Sequence, residues 1–350
     1  MNMGTSYAFS SERVRDERER RAAAETRPGA EVTLDEWVAP DLADQLGHLR
    51  AGSVLEWMDV SGVLAATRHC REAVVTASVD ALTLHRPIAI GQHLTMTAVV
   101  GYTSARSMGV TIALFADGEP VGDGYMTFVA LGADGRAVQV PSLAPETATE
   151  HERWRQGQVR REFRQRAVAS APVEATPLST ALHRIARWPA ELLTRRTLER
   201  PARQRSLIHK IEPVFAGTLN FRGTLYGGAV MRWLETSAGL SARAFLGGSG
   251  VEFIDTLGLE FEKPVRAHTF VHIHAQVVHV GEGVTVYAEL GVEDPIAGAQ
   301  GRAVRGYFRY RRADRRARAI PALSYLTESD RLHLAEVEAR LALERSLRLG

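Results

Sequence analysis

Asp59 stands seven residues beyond Gly52, inside a stretch from Ser53 to Arg68 that is apolar or small almost all round. An amphipathic surface helix would show a polar face, so the helix predicted here is wrapped on most sides. Burying a carboxylate in such a place is costly unless something compensates. Either Asp59 caps or pairs with a structural partner, or it is kept for acid–base or nucleophilic chemistry. Glu235 occupies the same place in a second helical stretch, Ala229 to Ala244. Directly before that helix stand Gly227 and Gly228. Glycines at a helix start leave free backbone N–H groups at its positive end, which can polarise a carbonyl and hold a developing oxyanion. They also let a substrate approach the backbone closely.

Other reactive side chains read as structural. Cys70 follows Arg68-His69, which makes a Cys/His nucleophile pair conceivable, but its place at the end of a buried helix predicts a packing role. As the single cysteine, it excludes an internal disulfide and a cysteine zinc cage. His272 and His274 share one face of a predicted strand with His268 in phase, opposite the core-facing Val271, Ile273, Ala275 and Val277. A metal site there would need a third ligand in register and usually a carboxylate partner. The three histidines are read as polar residues on an exposed face, and no metal is expected. There is no Gly-x-Ser-x-Gly elbow, no Walker loop, and no Gly-x-Gly-x-x-Gly opening a βαβ unit, so a nucleotide cofactor has no obvious berth.

The elements that must position these groups form a repeat. Gly47/Gly223, Gly52/Gly228, Trp57/Trp233 and Asp59/Glu235 each lie 176 positions apart; Pro87/Pro264 differ by 177 and Pro141/Pro321 by 180. A slowly drifting offset kept over so long a span marks a tandem duplication. The length, 350 residues, fits two domains. The boundaries predicted are an N-terminal arm over 1–34, domain 1 over 35–170, a linker over 171–205 with a short helix near Ala181 to Thr194, and domain 2 over 206–350.

Each copy runs in the same order: a Gly-x-x-x-x-Gly loop, a helix, then strands. His93 to Tyr102, Met108 to Phe115, Thr269 to Val280 and Val284 to Leu290 are rich in β-branched residues with partial alternation. An Arg/Glu-rich helix closes each copy, Glu150 to Arg166 and Glu328 to Leu347. A helix followed by consecutive strands predicts an α+β fold with an antiparallel sheet packed on that helix.

Composition narrows the partners. Forty-three basic against 41 acidic residues give a net charge of +2, too balanced for a chain that grips nucleic acid along its length. Only Lys210 and Lys263 are lysines, so the basic residues are almost all arginine, which also suits phosphate recognition. No run approaches the ~18 apolar residues of a membrane span, and the start lacks the apolar core of a signal peptide. A cytoplasmic chain with no membrane partner is expected.

These motifs together resemble the double-hotdog acyl-CoA thioesterases. Copy two reads Asn220-Phe-Arg-Gly223-Thr-Leu-Tyr-Gly227-Gly228 and then Trp233-Leu234-Glu235. Copy one reads Asp44-Gln-Leu-Gly47-His-Leu-Arg-Ala51-Gly52, then Trp57-Met58-Asp59 and Thr67-Arg68-His69-Cys70. Leu84-His85-Arg86-Pro87 and Phe261-Glu262-Lys263-Pro264 match the strand motif, and Thr103 to Met108 also fits. The resemblance spans about residues 35–165 and 206–345.

It implies tandem hotdog domains, each an antiparallel sheet wrapped around a central helix, with each active site taking an Asn from one domain and an Asp from the other. One site would combine Asp59 and Asn220 with the Gly227 and Gly228 amides. The second would combine Asp44 with Glu235 beside Gly52; it departs at both side chains, and two acids there would repel or share a proton. The activity implied is hydrolysis of acyl-CoA to a free acid and CoA, with no cofactor beyond the CoA of the substrate. Asp59 would act as base on water or as nucleophile, Asn220 would orient water or thioester, and Arg106 with Ser107 would meet the CoA end. A homo-oligomer, a trimer of double hotdogs, is also implied. Two other functions fit less well: a non-catalytic acyl-CoA-binding protein, and a hotdog enoyl-CoA hydratase, for which His48 near Asp44 is the one candidate pair.

Overall fold

The computed structural model describes residues 31–170, 202–220, 222–247, 250–314, 319–323 and 327–349. The predicted arm up to residue 30 and the predicted helix over 181–194 lie outside them. The first half runs β1 (Glu31–Trp37), α1 (Ala51–Cys70), β2 (Ala73–Leu84), β3 (His93–Thr103), β4 (Ser107–Ala116), β5 (Glu119–Leu131) and α2 (Ala148–Ser170). The second runs α3 (Ala202–Arg205), β6 (Ile208–Pro213), α4 (Gly227–Phe245), β7 (Val251–Phe261), β8 (Phe270–Val280), β9 (Val284–Asp294), β10 (Ala299–Arg312) and α5 (Glu328–Leu349). Residues 31–34 thus belong to a strand rather than to an arm. The alternation Val32-Thr33-Leu34 seats Val32 in the core while β1 pairs with β3 from Glu31↔Val99 onward.

All ten strands form one antiparallel sheet in the order β1-β3-β4-β5-β2-β7-β10-β9-β8-β6. The two repeats are joined edge to edge in the middle, where β2 meets β7 at Ser78↔Glu260, Val79↔Leu259, Leu82↔Thr256 and Thr83↔Asp255. The Thr256 hydroxyl accepts the Leu82 N–H at 3.0 Å, filling a donor that the ladder leaves free. Each half wraps its own helix, and α1 and α4 pack against each other across the junction. This is the edge-to-edge pair of helix-on-sheet domains that the repeat predicted, and the tandem hotdog architecture that the resemblance implied.

The helices are seated by their own sequence. Val54, Leu55, Met58, Ala65 and Ala66 are fully buried on α1, as are Met231, Leu234, Ala238 and Ala242 on α4. Burial of each large side chain among them contributes about 1.5–3 kcal/mol. Gly62 on α1 lets the Phe128 ring of β5 press against the helix; a side-chain carbon there would lie 2.6 Å from the ring. The helix ends where Arg71 turns left-handed, at φ 57°, returning its N–H to Thr67 O.

The histidine face departs from expectation. Val271, Ile273, Ala275 and Val277 do point into the core, but His274 on the other face of β8 is only 2% exposed. Two features cover it: α5 packs on this side of the sheet through Val337 against Val278, and His209 of the edge strand β6 stacks on the His274 ring. His268 is not in phase with them, because it sits in the turn before β8 with a φ of 63°.

Candidate active site

Both central helices begin without help from their own side chains. The residues that precede them, Arg50 and Tyr226, make no side-chain capping bond, so the first amides of each helix are left to outside acceptors. Those acceptors are the acids of the opposite helix. Asp59 of α1 receives the Gly228 N–H of α4, and Glu235 of α4 receives the Gly52 N–H of α1. Each repeat therefore sets a buried carboxylate against the start of the other's helix.

Asp59 is 1% exposed. The Thr76 hydroxyl donates to its Oδ1 at 2.5 Å, and a side-chain carbon on Gly227 would stand 3.1 Å from its Oδ2. Burial pushes the carboxyl up to about 6; the Thr76 and Gly228 hydrogen bonds pull the other way, and Glu56, one helical turn earlier, adds to the rise. A carboxyl poised there can shuttle a proton near neutral pH. Gly228 has a further reason for its lack of a side chain. The Tyr226 ring lies over it, within 2.6 Å of where a side-chain carbon would be, while the Tyr226 hydroxyl donates to Glu56 O at 3.1 Å.

The pseudosymmetric position is built from different parts. Tyr310 donates to Glu235 Oε1 at 3.2 Å and to Glu235 O at 3.0 Å. Burial pushes Glu235 up to about 7, opposed by Tyr310, Gly52 and the charge of Arg50, and reinforced by Asp44. That last contribution is the acid–acid repulsion expected at this site. Thr76 faces Phe128 across β2 and β5, and Phe253 faces Tyr310 across β7 and β10. The hydroxyl that holds the acid thus comes from opposite members of the two rungs. A cavity of about 200 Å³ opens on this side, lined by Asp44, Arg50, Ala51, Glu235 and Tyr310 together with the apolar Leu84 and Ile88.

Asn220 and Asp44 do a job that spacing alone left unseen. Asn220 Oδ1 accepts the N–H groups of Arg222 at 2.9 Å and Thr224 at 3.3 Å, and its amide donates to Thr224 Oγ1 at 2.9 Å. Asp44 Oδ1 accepts the N–H groups of Leu46 at 2.7 Å and His48 at 3.0 Å. Both side chains close the loop that carries the positive-φ residues Gly223 and Gly47 into the helix start. No hydrogen bond joins Asn220 to Asp59. The structure therefore brings Asp59, Gly227 and Gly228 together, and Glu235, Gly52 and Asp44 together, with Asn220 shaping the loop beside the first group.

The remaining candidates lie elsewhere. Arg106 and Ser107 form the β3–β4 hairpin turn, where the Ser104 and Ser107 hydroxyls are 2.7 Å apart and the Arg106 side chain is exposed. No described contact ties them to Asp59. His69 Nε2 bonds Pro141 O at 2.9 Å, and the Cys70 thiol, pushed up by burial, points to Glu72 O, so the two form no nucleophile pair. Thr76 and Tyr310 are the site residues that sequence reasoning missed. Their only signal was a hydroxyl on strands flanking the helices, and register decides which hydroxyl reaches the acid.

Comparison with known proteins places this geometry. A sequence model of the thioesterase superfamily matches residues 46–122 and 222–288, the loop, helix and following strands of each repeat. The human cytosolic acyl coenzyme A thioester hydrolase is 34% identical over 142 residues, which cover 37% of this chain and 37% of that protein. The rat acetyl-coenzyme A thioesterase is 27% identical over 221 residues, 61% of this chain and 38% of that one. The chain thus spans little more than a third of the length of these two curated relatives. A Lactobacillus plantarum protein described as an oleoyl thioesterase shares the fold across both repeats, at a TM-score of 0.52 and 12% identity over 82% of this chain and 98% of that one.

Proposed function

We propose that this chain, which carries two domains of the thioesterase superfamily, hydrolyses acyl-CoA thioesters to a carboxylic acid and CoA at a site shared by its two repeats. The observation that carries the proposal is the buried Asp59, its carboxyl pushed up to about 6, at the open start of α4 beside Gly227. The thioester carbonyl lies against the α4 start, where the Gly227 amide and the positive helix end stabilise the developing oxyanion. The Gly228 amide holds Asp59 itself. Asp59 either removes a proton from the attacking water or attacks the carbonyl carbon and is released by water. In both routes the thioester C–S bond breaks, the thiolate of CoA leaves and is protonated, and water supplies the new acid oxygen.

Asn220 is assigned the loop that presents Gly227 and Gly228; contact of its amide with the substrate requires exchange of its bond to Thr224. Arg106 and Ser107 are assigned to the CoA phosphates, where a guanidinium pairs well. No cofactor enters this reaction. A thiol-release assay over acyl-CoAs of several chain lengths tests it: steady thiol release supports hydrolysis. Binding without release supports a carrier, and addition of water across an enoyl-CoA double bond supports a hydratase.

A second reading is favoured by the cavity beside Glu235. There the Glu235–Tyr310 half carries turnover and Asp59 serves as a helix cap. Two observations support Asp59 instead: its partner position lacks a second acid, and Gly227 leaves room that Ala51 occupies on the other side. We further assign the chain to a homo-oligomer, a trimer of double hotdogs in the cytoplasm. Exposed Trp37, Val60, Leu64 and Leu240 supply apolar surface for such an assembly. No described helix is long and apolar enough to cross a membrane. Light scattering that gives a strict monomer contradicts the assembly.

A further inference from the structure

The histidines on the outer face of the second repeat are unexplained by thioester chemistry. His272 and His274 alternate on β8, and the edge strand β6 sets His209 on the same rung as His274. One nitrogen from each of the three rings lies within 4.8 Å of the others. His209 Nε2 and His272 Nδ1 are already 3.1 Å apart, close to the ~3.3 Å that a tetrahedral ion with ~2.0–2.1 Å bonds to nitrogen sets between its ligands. The carboxylate partner is present too: Glu293 Oε2 lies 2.5 Å from His272 Nε2.

His274 is the independent sign. It is 2% exposed, and neither ring nitrogen has a hydrogen-bond partner. A buried imidazole with two idle nitrogens is a standing cost unless a ligand fills one of them.

We propose that His209, His272 and His274 bind one divalent transition-metal ion of the imidazole-preferring kind, zinc foremost, with Glu293 orienting His272. The Glu293 carboxylate accepts His272 Nε2–H, which fixes the tautomer and turns the Nδ1 lone pair toward His209. The exposed His209 can carry its proton on Nδ1 and give Nε2 to the ion. Three neutral nitrogens suit zinc, cobalt, nickel or copper, and not magnesium or calcium, which take oxygen ligands. The fourth position is left to water. The core-facing Val271 and Ile273 put the site across the sheet from α4, so the ion staples the edge strand β6 to β8 without touching the acids.

The test uses the full chain without a histidine tag, stripped with chelator. Zn²⁺ and Co²⁺ are titrated in competition with a chromophoric chelator, and melting is followed in parallel. The expected result is one ion per chain, a raised melting temperature with Zn²⁺, and no effect of Mg²⁺. Glu293→Gln should weaken binding ~10–100-fold, and His209→Ala and His272→Ala should weaken it further. His209 is exposed on an edge strand, so its variant is expected to fold, as circular dichroism will check; His209→Gln replaces it otherwise. Absence of stoichiometric binding, or binding undiminished in both histidine variants, overturns the proposal. Thioesterase activity has no bearing on either outcome.

Discussion

Asp59 and Gly227 meet across the junction of the two repeats, with 3.1 Å between the Asp59 Oδ2 oxygen and the point where a Gly227 side chain would begin. The acid belongs to one copy and the helix start to the other, so neither repeat holds this arrangement alone. Gly227→Ala should fold, because Ala51 fills the matching place in the first copy. The added methyl crowds Oδ2 and displaces the carboxylate by a few tenths of an ångström. Thiol release should fall ~10-fold or more, as misplacement of a reacting group commonly costs. An unchanged kcat in a folded Gly227→Ala protein contradicts this use of the glycine.

The Thr76 hydroxyl holds the ionised form of Asp59 through a 2.5 Å hydrogen bond. Its removal in Thr76→Val leaves the carboxylate with less support, so the Asp59 carboxyl should rise above about 6. The acid limb of the pH profile of kcat/KM should move to higher pH, with a stability loss of ~1–3 kcal/mol for the unpaired buried acceptor. A profile that keeps its midpoint excludes Asp59 as the group that titrates.

The two raised carboxyls carry an opposite cost in stability. The folded protein holds the Asp59 proton up to about 6 against an ordinary value of 3.8, so the stabilising contribution is full below pH ~4 and is lost as pH rises through about 6. For Glu235 the loss runs from 4.5 through about 7. Asp59→Asn cannot ionise. Its melting temperature relative to the parent should climb between pH ~4 and ~6 and level off above that, while that of Glu235→Gln climbs between pH ~4.5 and ~7. A difference that stays flat over that range rules out the raised carboxyls.

Much of this was legible in the chain. The constant offset between Trp57 and Trp233 and between Asp59 and Glu235 predicted two like domains, and the acid, the glycine pair and the helix could be placed from spacing because all lie within a few turns of one another. What spacing missed is what strand pairing decides. Thr76 and Tyr310 reach the acids only through the registers of β2 and β10. Asn220 is committed to its own turn by the Thr224 hydroxyl, a local choice that a motif match does not reveal. His209 is 63 residues from His272 and becomes its neighbour only when β6 takes the sheet edge.

The repeats are also tied by a buried ion pair. Arg160 of α2 donates to Glu344 of α5 at 2.5 Å, with both side chains largely shielded from water. Arg160→Ala strands the acid and should destabilise by about 3 kcal/mol, whereas Arg160→Met with Glu344→Met should recover most of that loss. Chemical denaturation of the single and double variants checks the pair; a neutral Arg160→Ala shows that the helices do not depend on it.

The central claim is that Asp59, and not Glu235, is the working acid. Initial rates of thiol release from a series of acyl-CoAs, measured for Asp59→Asn and Glu235→Gln after circular dichroism and melting confirm both folds, test it most directly. Asp59→Asn should lose ~10²-fold or more in kcat, the usual consequence of removing one well-placed catalytic group. Glu235→Gln should stay within a few fold of the parent at every chain length. Turnover that survives Asp59→Asn and vanishes in a well-folded Glu235→Gln contradicts the assignment and moves the reaction to the cavity beside Tyr310.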